Sequence, residues 1–223
     1  MTEPKLLWPP RSLRIVFVCT GNRFRSPLAA AYLKRLLSGL PVEISSCGTA
    51  EQARAGVGPL AETLAVARAS AVRLADHRTR WVGDVELGDA DLVLGFERSH
   101  VAAAVLEGGA PLPRTFLATE LVALLRNAPA VEVAEPRKRI RTLVEAADRA
   151  RHRDAYMPEI KDPLGHSPET YERVAIEIWA LTLDLVEAMF TEPPVSFAAL
   201  PRPRLRHRLR PRWFAHRRRR TRS

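Results

Sequence analysis

Residues 13–37 read LRIVFVCTGNRFRSPLAAAYLKRLL, and this stretch decides the fold. The apolar run from Leu13 to Val18 is typical of a buried strand, and residues 27–39 open with proline and are rich in alanine and leucine, which favours a helix. The loop between them, residues 19–26, contains a glycine and an asparagine. A tight loop that enters a helix N-terminus directs backbone N–H groups at an anion. The stretch therefore predicts an oxyanion-binding loop at the carboxyl end of the first strand.

The rest of the chain continues this alternation. Apolar runs predict further strands at 42–46, 91–94 and 115–117, and helical spacing predicts helices at 59–72, 98–107, 118–126, 137–152 and 168–190. Because strands that alternate with helices form parallel sheets, we expect an α/β fold, a three-layer sandwich in which helices cover both faces of a central parallel sheet. Ligands bind at the carboxyl ends of the strands in such folds, and Cys19 stands at such an end.

Cys19 is the candidate nucleophile of the loop. A thiol attacks phosphorus efficiently as its thiolate, a form that a helix N-terminus and a neighbouring cation both favour. Arg25 supplies the cation and can grip two oxygens of a phosphoryl group in a fork. The hydroxyl of Ser26 is placed to donate to the sulfur and ease its departure. The implied reaction transfers a phosphoryl group to sulfur and then to water, with no metal and no cofactor.

Such a phosphatase also needs an acid that protonates the leaving oxygen. Asp162 is the candidate, because Pro163 and Gly165 indicate a turn that can fold over the loop. A phosphoryl group beside a carboxyl favours its protonated form, which suits this role. An ordinary aspartate that caps a turn is the alternative for this position.

The two motifs together resemble the low-molecular-weight protein tyrosine phosphatase family of bacterial type. That family carries Cys-x-Gly-Asn-x-Cys-Arg-Ser-Pro after its first strand and an Asp-Pro turn late in the chain. Residues 19–27 match the first motif except at Phe24, and residues 162–163 match the second. Residues 44–49, and residues 76–80 followed by 90–94, give weaker matches. The resemblance extends from residue 13 to about residue 190.

The resemblance implies a protein-tyrosine-phosphatase that acts on phosphoprotein substrates. Cys19 would be its nucleophile, Asp162 its general acid, and Arg25 the third catalytic residue. The phosphate-binding loop would comprise Thr20, Gly21, Asn22, Arg23, Phe24 and Ser26.

Three positions depart from the family pattern. Phe24 replaces the second cysteine of the loop, so the reversible disulfide between two loop cysteines cannot form. Leu164 and Gly165 stand where relatives carry an aromatic wall for the phosphotyrosine ring, and stacking worth about 1 kcal/mol is missing there. Cys47 stands where many bacterial relatives have alanine. We expect it to be a small buried hydrophobe, with a protective disulfide to Cys19 as the alternative.

Two other activities on the same scaffold stay open. Thr20 directly follows the nucleophile, as in some bacterial relatives that resemble protein arginine phosphatases, and its branched side chain narrows the bowl in favour of a slimmer phosphoguanidinium group. A thiol-dependent arsenate reductase shares the fold and the loop. That enzyme needs a relay of further cysteines, whereas this chain contains two cysteines in all.

The positive charge of the chain is concentrated at one end. The net charge is +10, but residues 201–223 hold eleven arginines and no acidic residue, so the other 200 residues carry about −1. Prolines recur through residues 191–223. We therefore expect a disordered, arginine-rich tail that contacts an anionic membrane or nucleic acid.

The remaining expectations concern organisation and compartment. We expect a flexible leader at 1–12, a phosphatase domain at 13–190 and, within it, a helical insertion at about 118–153 whose second half is a solvated basic helix. The alternative for that helix is a lid or docking surface near Asp162. Two cysteines without a secretory signal favour the cytoplasm. No run approaches the roughly 20 apolar residues of a membrane span.

Overall fold

The computed structural model describes residues 12–129, 131–133, 135–152 and 156–190. Its strands are β1 (Leu13–Cys19), β2 (Val42–Gly48), β3 (Leu92–Gly95) and β4 (Thr115–Leu117), and they form one sheet in the order β2-β1-β3-β4. All three pairings are parallel. The predicted α/β fold with a central parallel sheet is confirmed. The expected leader and arginine-rich tail lie outside the described residues, apart from Ser12.

The helices lie within about three residues of their predicted bounds. They are α1 (Arg25–Leu36), α2 (Ala61–Ala69), α3 (Arg98–Leu106), α4 (Ala118–Arg126), α5 (Pro136–Arg149) and α6 (Pro168–Met189). The first helix begins at Arg25, earlier than the start we expected at Pro27. Proline is tolerated there because the first N–H groups of a helix have no partner within the helix.

Alternate residues of β1 face opposite sides of the sheet. Ile15 and Phe17 belong to the larger core, which includes α1 and α6, whereas Val16 and Val18 belong to a smaller core with Ala104 of α3. Helices therefore cover both faces, as the strand–helix alternation predicted. Since β1 lies between β2 and β3, its carboxyl end at Cys19 sits in the middle of the sheet edge.

The basic helix α5 is tied to the sheet through its own arginines. Arg137 donates from Nε and Nη2 to the carboxylate of Asp91, each at 2.9 Å, and Asp91 is fully buried. Asp91 also accepts the backbone N–H of Arg14 at 3.0 Å. Arg139 donates to the carbonyl of Met189 at 2.8 Å. The expectation of a solvated basic helix is therefore wrong for Arg137 and Arg139, which hold the helix in place, and is confirmed for the exposed Lys138, Arg141 and Arg149.

Candidate active site

The loop of residues 19–24 turns its carbonyl groups away from its own centre. Four of these carbonyls accept hydrogen bonds from groups outside the loop: Cys19 from Thr49 N (2.9 Å), Thr20 from Ala50 N (2.9 Å), Asn22 from His77 Nε2 (2.7 Å) and Arg23 from Thr63 Oγ1 (2.7 Å). The C=O and N–H of a trans peptide point in opposite directions, so the N–H groups that follow these carbonyls face the inside. The centre of the loop is therefore a bowl of hydrogen-bond donors.

Asn22 holds this loop in its shape. Its backbone is left-handed, with φ of 52°, and its side chain is fully buried. The amide nitrogen donates to Ser26 Oγ and Ser46 Oγ, both at 2.9 Å, and the amide oxygen accepts the N–H of Arg80 at 3.0 Å. Asparagine tolerates this conformation better than most residues, as the sequence led us to expect. Three separate segments are thereby joined at one side chain.

Two glycines near the loop differ in how much space a side chain would have at their positions. A Cβ on Gly48 would lie 2.7 Å from the carbonyl oxygen of Thr20 and 3.0 Å from the nitrogen of Asn22, so only glycine lets the end of β2 pass so close to the loop. A Cβ on Gly21 would meet only Arg23 Cγ, at 4.0 Å. Packing within the protein therefore does not require glycine at position 21.

Cys19 lies at the floor of the bowl with a hydroxyl beside its sulfur. Its Sγ is 3.0 Å from Ser26 Oγ, and both residues are buried. The same oxygen accepts from Asn22 and lies 3.3 Å from the carbonyl of Cys47. Since a hydroxyl has a single proton, Ser26 can donate it either to that carbonyl or to the sulfur. A thiolate is the stronger acceptor of the two because it is charged.

Arg25 uses both terminal nitrogens of its guanidinium. Nη1 donates to the carboxylate of Glu97 and, at 2.9 Å, to the carbonyl of Ile160. Nη2 donates to Thr20 Oγ1 at 3.0 Å and to Asp162 Oδ2 at 2.5 Å. The side chain is 1% exposed. Arg25 and Asp162, which are 137 positions apart in the chain, therefore meet as an ion pair at the bowl.

The turn that carries Asp162 is anchored next to the carboxyl end of β3. The N–H of Ile160 donates to the carbonyl of Phe96 at 3.1 Å, and the backbone N–H of Arg98 donates to the carboxylate of Glu159 at 2.8 Å. Asp162 Oδ1 also accepts the N–H of Leu164 at 3.1 Å, so the aspartate caps its own turn as well. The turn-capping interpretation is therefore confirmed, and the role of Asp162 as a general acid stays a prediction, which its position beside Arg25 allows.

Phe24 and Arg23 turn away from the bowl. The ring of Phe24 is 3% exposed and packs edge-on against Tyr171, with centroids 5.0 Å apart. Arg23 donates from Nε to the carbonyl of Gly58 at 3.1 Å. Phe24 can therefore take part in the predicted phosphate-binding loop only through its backbone, because a large ring at this position is buried in the core.

Cys47 is a buried hydrophobe, as expected. It is opposite Val18 in the β1–β2 register and belongs to the smaller core, whereas Cys19 belongs to the larger core on the other face of the sheet. Burial raises the pKa of the Cys47 thiol to about 12. Both cysteines are free thiols. Because their side chains lie on opposite faces, the fold does not favour a disulfide between them.

The family of the chain follows from comparison with known proteins. Residues 14–136, more than half of the chain, match the profile of the family described as low molecular weight phosphotyrosine protein phosphatase. The chain belongs to this family. A relative named low molecular weight protein-tyrosine-phosphatase Wzb, from Salmonella typhi, is 36% identical over 90 residues, which are 40% of this chain. The match spans 58% of the length of that relative.

Solved structures of the family superpose over most of the described chain. The low molecular weight protein tyrosine phosphatase from T. tengcongensis has a TM-score of 0.58 at 25% identity and covers 79% of this chain and 99% of its own. The YwlE arginine phosphatase from Geobacillus stearothermophilus has a TM-score of 0.57 at 25% identity and covers 80% and 94%. The structural neighbours thus include proteins named as tyrosine phosphatases and as arginine phosphatases.

Four residues of the site were not predicted from the sequence: Ser46, His77, Glu97 and His100. Glu97 carried a signal, because it comes just after β3, and β3 lies beside β1 in the sheet. Carboxyl ends of neighbouring parallel strands converge, so polar residues there were candidates. His77 lies in an irregular segment with no periodicity to place it.

Two further observations concern the described residues alone. No group of three His, Cys, Asp or Glu side chains among them is arranged to hold a metal ion. None of their helices combines the length and the hydropathy that a membrane crossing requires.

Proposed function

We propose that this chain is a metal-independent cysteine phosphatase that hydrolyses phosphoprotein monoesters through a phosphocysteine intermediate. One observation carries the proposal: a buried cysteine sulfur lies 3.0 Å from a serine hydroxyl at the floor of a bowl whose carbonyl groups point outward. Inward N–H groups stabilise the oxyanions of a phosphoryl group without a metal. The family membership of the chain supports the same activity.

The first half of the reaction forms a bond from sulfur to phosphorus. The Cys19 thiolate attacks the phosphorus atom, and the bond from phosphorus to the leaving oxygen breaks. Asp162, which the 2.5 Å contact with Arg25 holds at the bowl, donates its proton to that oxygen. In the second half a water molecule attacks phosphorus, Asp162 takes up a proton of this water, and the sulfur departs. A hydrogen bond from Ser26 stabilises the departing thiolate.

Because Asp162 is paired with Arg25, substrate binding has to precede the release and protonation of this carboxylate. All four terminal N–H groups of Arg25 already have acceptors, namely Glu97, Ile160, Thr20 and Asp162. A phosphoryl group that takes a fork of guanidinium donors therefore displaces Asp162 from Nη2. The loss of the cation and the arrival of a dianion both favour protonation of the released carboxyl. Substrate binding itself thus prepares the acid.

Phosphotyrosine is the proposed substrate class, supported by the family and by relatives named protein-tyrosine-phosphatase. Phosphoarginine is the second candidate, because Thr20 stands at the bowl, because Leu164 at 64% exposure replaces an aromatic wall and because a structural neighbour is an arginine phosphatase. The ratio of kcat/KM on matched phosphotyrosine and phosphoarginine peptides decides between them. A ratio below one assigns the chain to phosphoarginine.

The activity is tested with para-nitrophenyl phosphate. We expect turnover by the wild type, none by Cys19→Ser and a loss of about 100-fold or more by Asp162→Ala. Arsenate-dependent consumption of thiol in place of phosphate release would assign the chain to the reductases. A chain that neither releases phosphate nor reduces arsenate would contradict the proposal.

The setting of the enzyme is also part of the proposal. A catalytic thiol with no partner for a protective disulfide works best where thiols stay reduced, which supports a cytoplasmic enzyme. The arginines of residues 201–223 would add contact with an anionic membrane or nucleic acid.

A further inference from the structure

We propose that the hydroxyl of Thr20 donates its proton to an oxygen of the bound phosphoryl group, and that His100 is the positioning residue that fixes this direction. The inference rests on the proposed function and assigns a specific hydrogen bond to it. It gives a role to His100, a buried side chain that the two chemical steps do not use.

The tautomer of His100 follows from its neighbours. The backbone N–H of Glu97 donates to His100 Nδ1 at 3.0 Å, so this nitrogen is an acceptor and carries no proton. The proton of the neutral ring is therefore on Nε2, which lies 3.0 Å from Thr20 Oγ1. The ring is 1% exposed, and this burial lowers the pKa of His100 to about 4. It is a neutral, one-way donor near pH 7.

The hydroxyl of Thr20 then has only its proton left to give. Its oxygen accepts from His100 Nε2 and, also at 3.0 Å, from Arg25 Nη2. A hydroxyl has two lone pairs and one proton, so both lone pairs are engaged and the proton has to point elsewhere. Arg25 Nη2 also contacts Asp162, which places the oxygen on the wall of the bowl. The proton is available to an anion that fills the bowl.

This arrangement adds a side-chain donor to the backbone donors of the loop. A donor whose direction is fixed before the substrate arrives stabilises phosphoryl oxygens without reorganisation during the reaction. Hydrogen bonds to charged acceptors contribute more than neutral ones. The pairing of Thr20 with His100 therefore strengthens the binding of the transferred phosphoryl group. This effect does not depend on whether the leaving group is an alcohol or a guanidine.

The first test compares Thr20→Val with Thr20→Ser. Valine keeps the branched shape and removes the hydroxyl, and we expect kcat/KM and orthovanadate affinity to fall by about 10- to 100-fold. Serine keeps the hydroxyl, and we expect it to stay within about threefold of the wild type. Removal of the Thr20 hydroxyl also frees an N–H of Arg25 Nη2 for the anion, and this second effect partly offsets the expected fall in affinity. Equal behaviour of the valine and serine variants would overturn the proposal.

The second test asks whether His100 acts through Thr20. Glutamine at position 100 can still accept the N–H of Glu97, as in a capping box, but its flexible amide replaces the ring N–H that the imidazole holds in a fixed direction. We expect His100→Gln to weaken vanadate binding about 3- to 10-fold in the wild type and to have no further effect in Thr20→Val. A loss of the same size in both backgrounds would show a structural role and overturn the assignment.

Vanadate affinity is measured through protection of Cys19 from alkylation, which needs no turnover. If the wild type binds vanadate but releases no phosphate, the proposed function fails while the hydrogen bond from Thr20 can still be measured. If the wild type turns over normally and the two threonine variants bind vanadate alike, the inference fails and the proposed function stands.

Discussion

At the scale of single residues, the ion pair between Asp162 and Arg25 is a competitor of the substrate. The carboxylate occupies Nη2 at 2.5 Å in the empty bowl, and an anion has to replace it. We expect Asp162→Ala to bind orthovanadate at least as tightly as the wild type, by a factor of up to about ten, although it turns over far more slowly. Vanadate protection of Cys19 against alkylation measures this affinity.

Asp76→Ala is the matched control for that prediction. Asp76 is a carboxylate with a side chain 86% exposed, and its partner is the solvent-exposed Arg73. Its removal should leave vanadate affinity unchanged. If Asp162→Ala instead bound vanadate more weakly than this control, the carboxylate would be assisting the anion, and the proposed exchange at Arg25 would be wrong.

His100 makes the stability of the fold depend on pH. Its pKa is about 4 in the folded chain and about 6.5 in an unfolded one, so the unfolded state binds more protons between these values. Stability from this group is complete above pH 6.5 and is lost as the pH falls towards 4, by up to about 3 kcal/mol. Urea unfolding of wild type and His100→Gln at pH 7 and pH 4.5 measures the difference.

His100→Gln should lose less stability than the wild type between pH 7 and pH 4.5. His166→Gln, a substitution at an exposed position, should follow the wild-type curve. A wild-type curve parallel to that of His100→Gln would mean that the folded state does not lower the pKa of His100.

At the scale of elements, an ion pair between Arg137 and the buried Asp91 helps to hold α5 in place. Removal of Arg137 leaves the fully buried carboxylate of Asp91 with a backbone N–H from Arg14 and with Arg141, whose Nε lies 3.9 Å away. We expect Arg137→Ala to lower the free energy of unfolding by about 3 kcal/mol, since an uncompensated buried charge is costly. Chemical denaturation followed by circular dichroism measures it.

Lys138→Ala is the neighbouring control, because Lys138 is exposed on the same helix. Its effect should stay within about 0.5 kcal/mol. Equal losses in the two variants would indicate that the helix responds to total charge and not to the bidentate contact with Asp91.

The elements also show what the sequence could predict. Residues 13–37 form β1, the loop and α1 in one continuous run, so local pattern alone located Cys19, Asn22, Arg25 and Ser26. Asp162 was found because an Asp-Pro turn is a local signal. Glu97 and His77 reach the loop through tertiary contacts of separate segments. The position of Glu97 directly after an apolar strand was a signal, but no local pattern places His77 at the loop.

The burial of Phe24 illustrates the same limit. The loop motif predicted a residue of the bowl at position 24, and the backbone does lie there. Its side chain, however, packs against the ring of Tyr171 in α6, nearly 150 residues away in the chain. Whether a loop residue faces ligand or core depends on the helix packed behind it, which the loop sequence does not specify.

At the scale of the whole molecule, the charge of the chain separates a nearly neutral body from a basic end. We expect deletion of residues 201–223, with their eleven arginines, to abolish binding to phosphatidylserine vesicles and to duplex DNA at low salt. Co-sedimentation and mobility-shift assays measure this. Turnover of para-nitrophenyl phosphate should be unchanged, since the proposed catalytic groups lie between residues 19 and 162. Unchanged binding after the deletion would remove the proposed role of the tail.

The central claim is that the sulfur of Cys19 accepts the phosphoryl group. The most direct measurement is mass spectrometry of the peptide that contains residue 19, after rapid quenching of the enzyme during turnover of para-nitrophenyl phosphate. We predict one phosphoryl group on Cys19 in the wild type, absent when substrate is omitted. Steady turnover with no phosphoryl group on this residue, together with an active Cys19→Ser variant, would contradict the account.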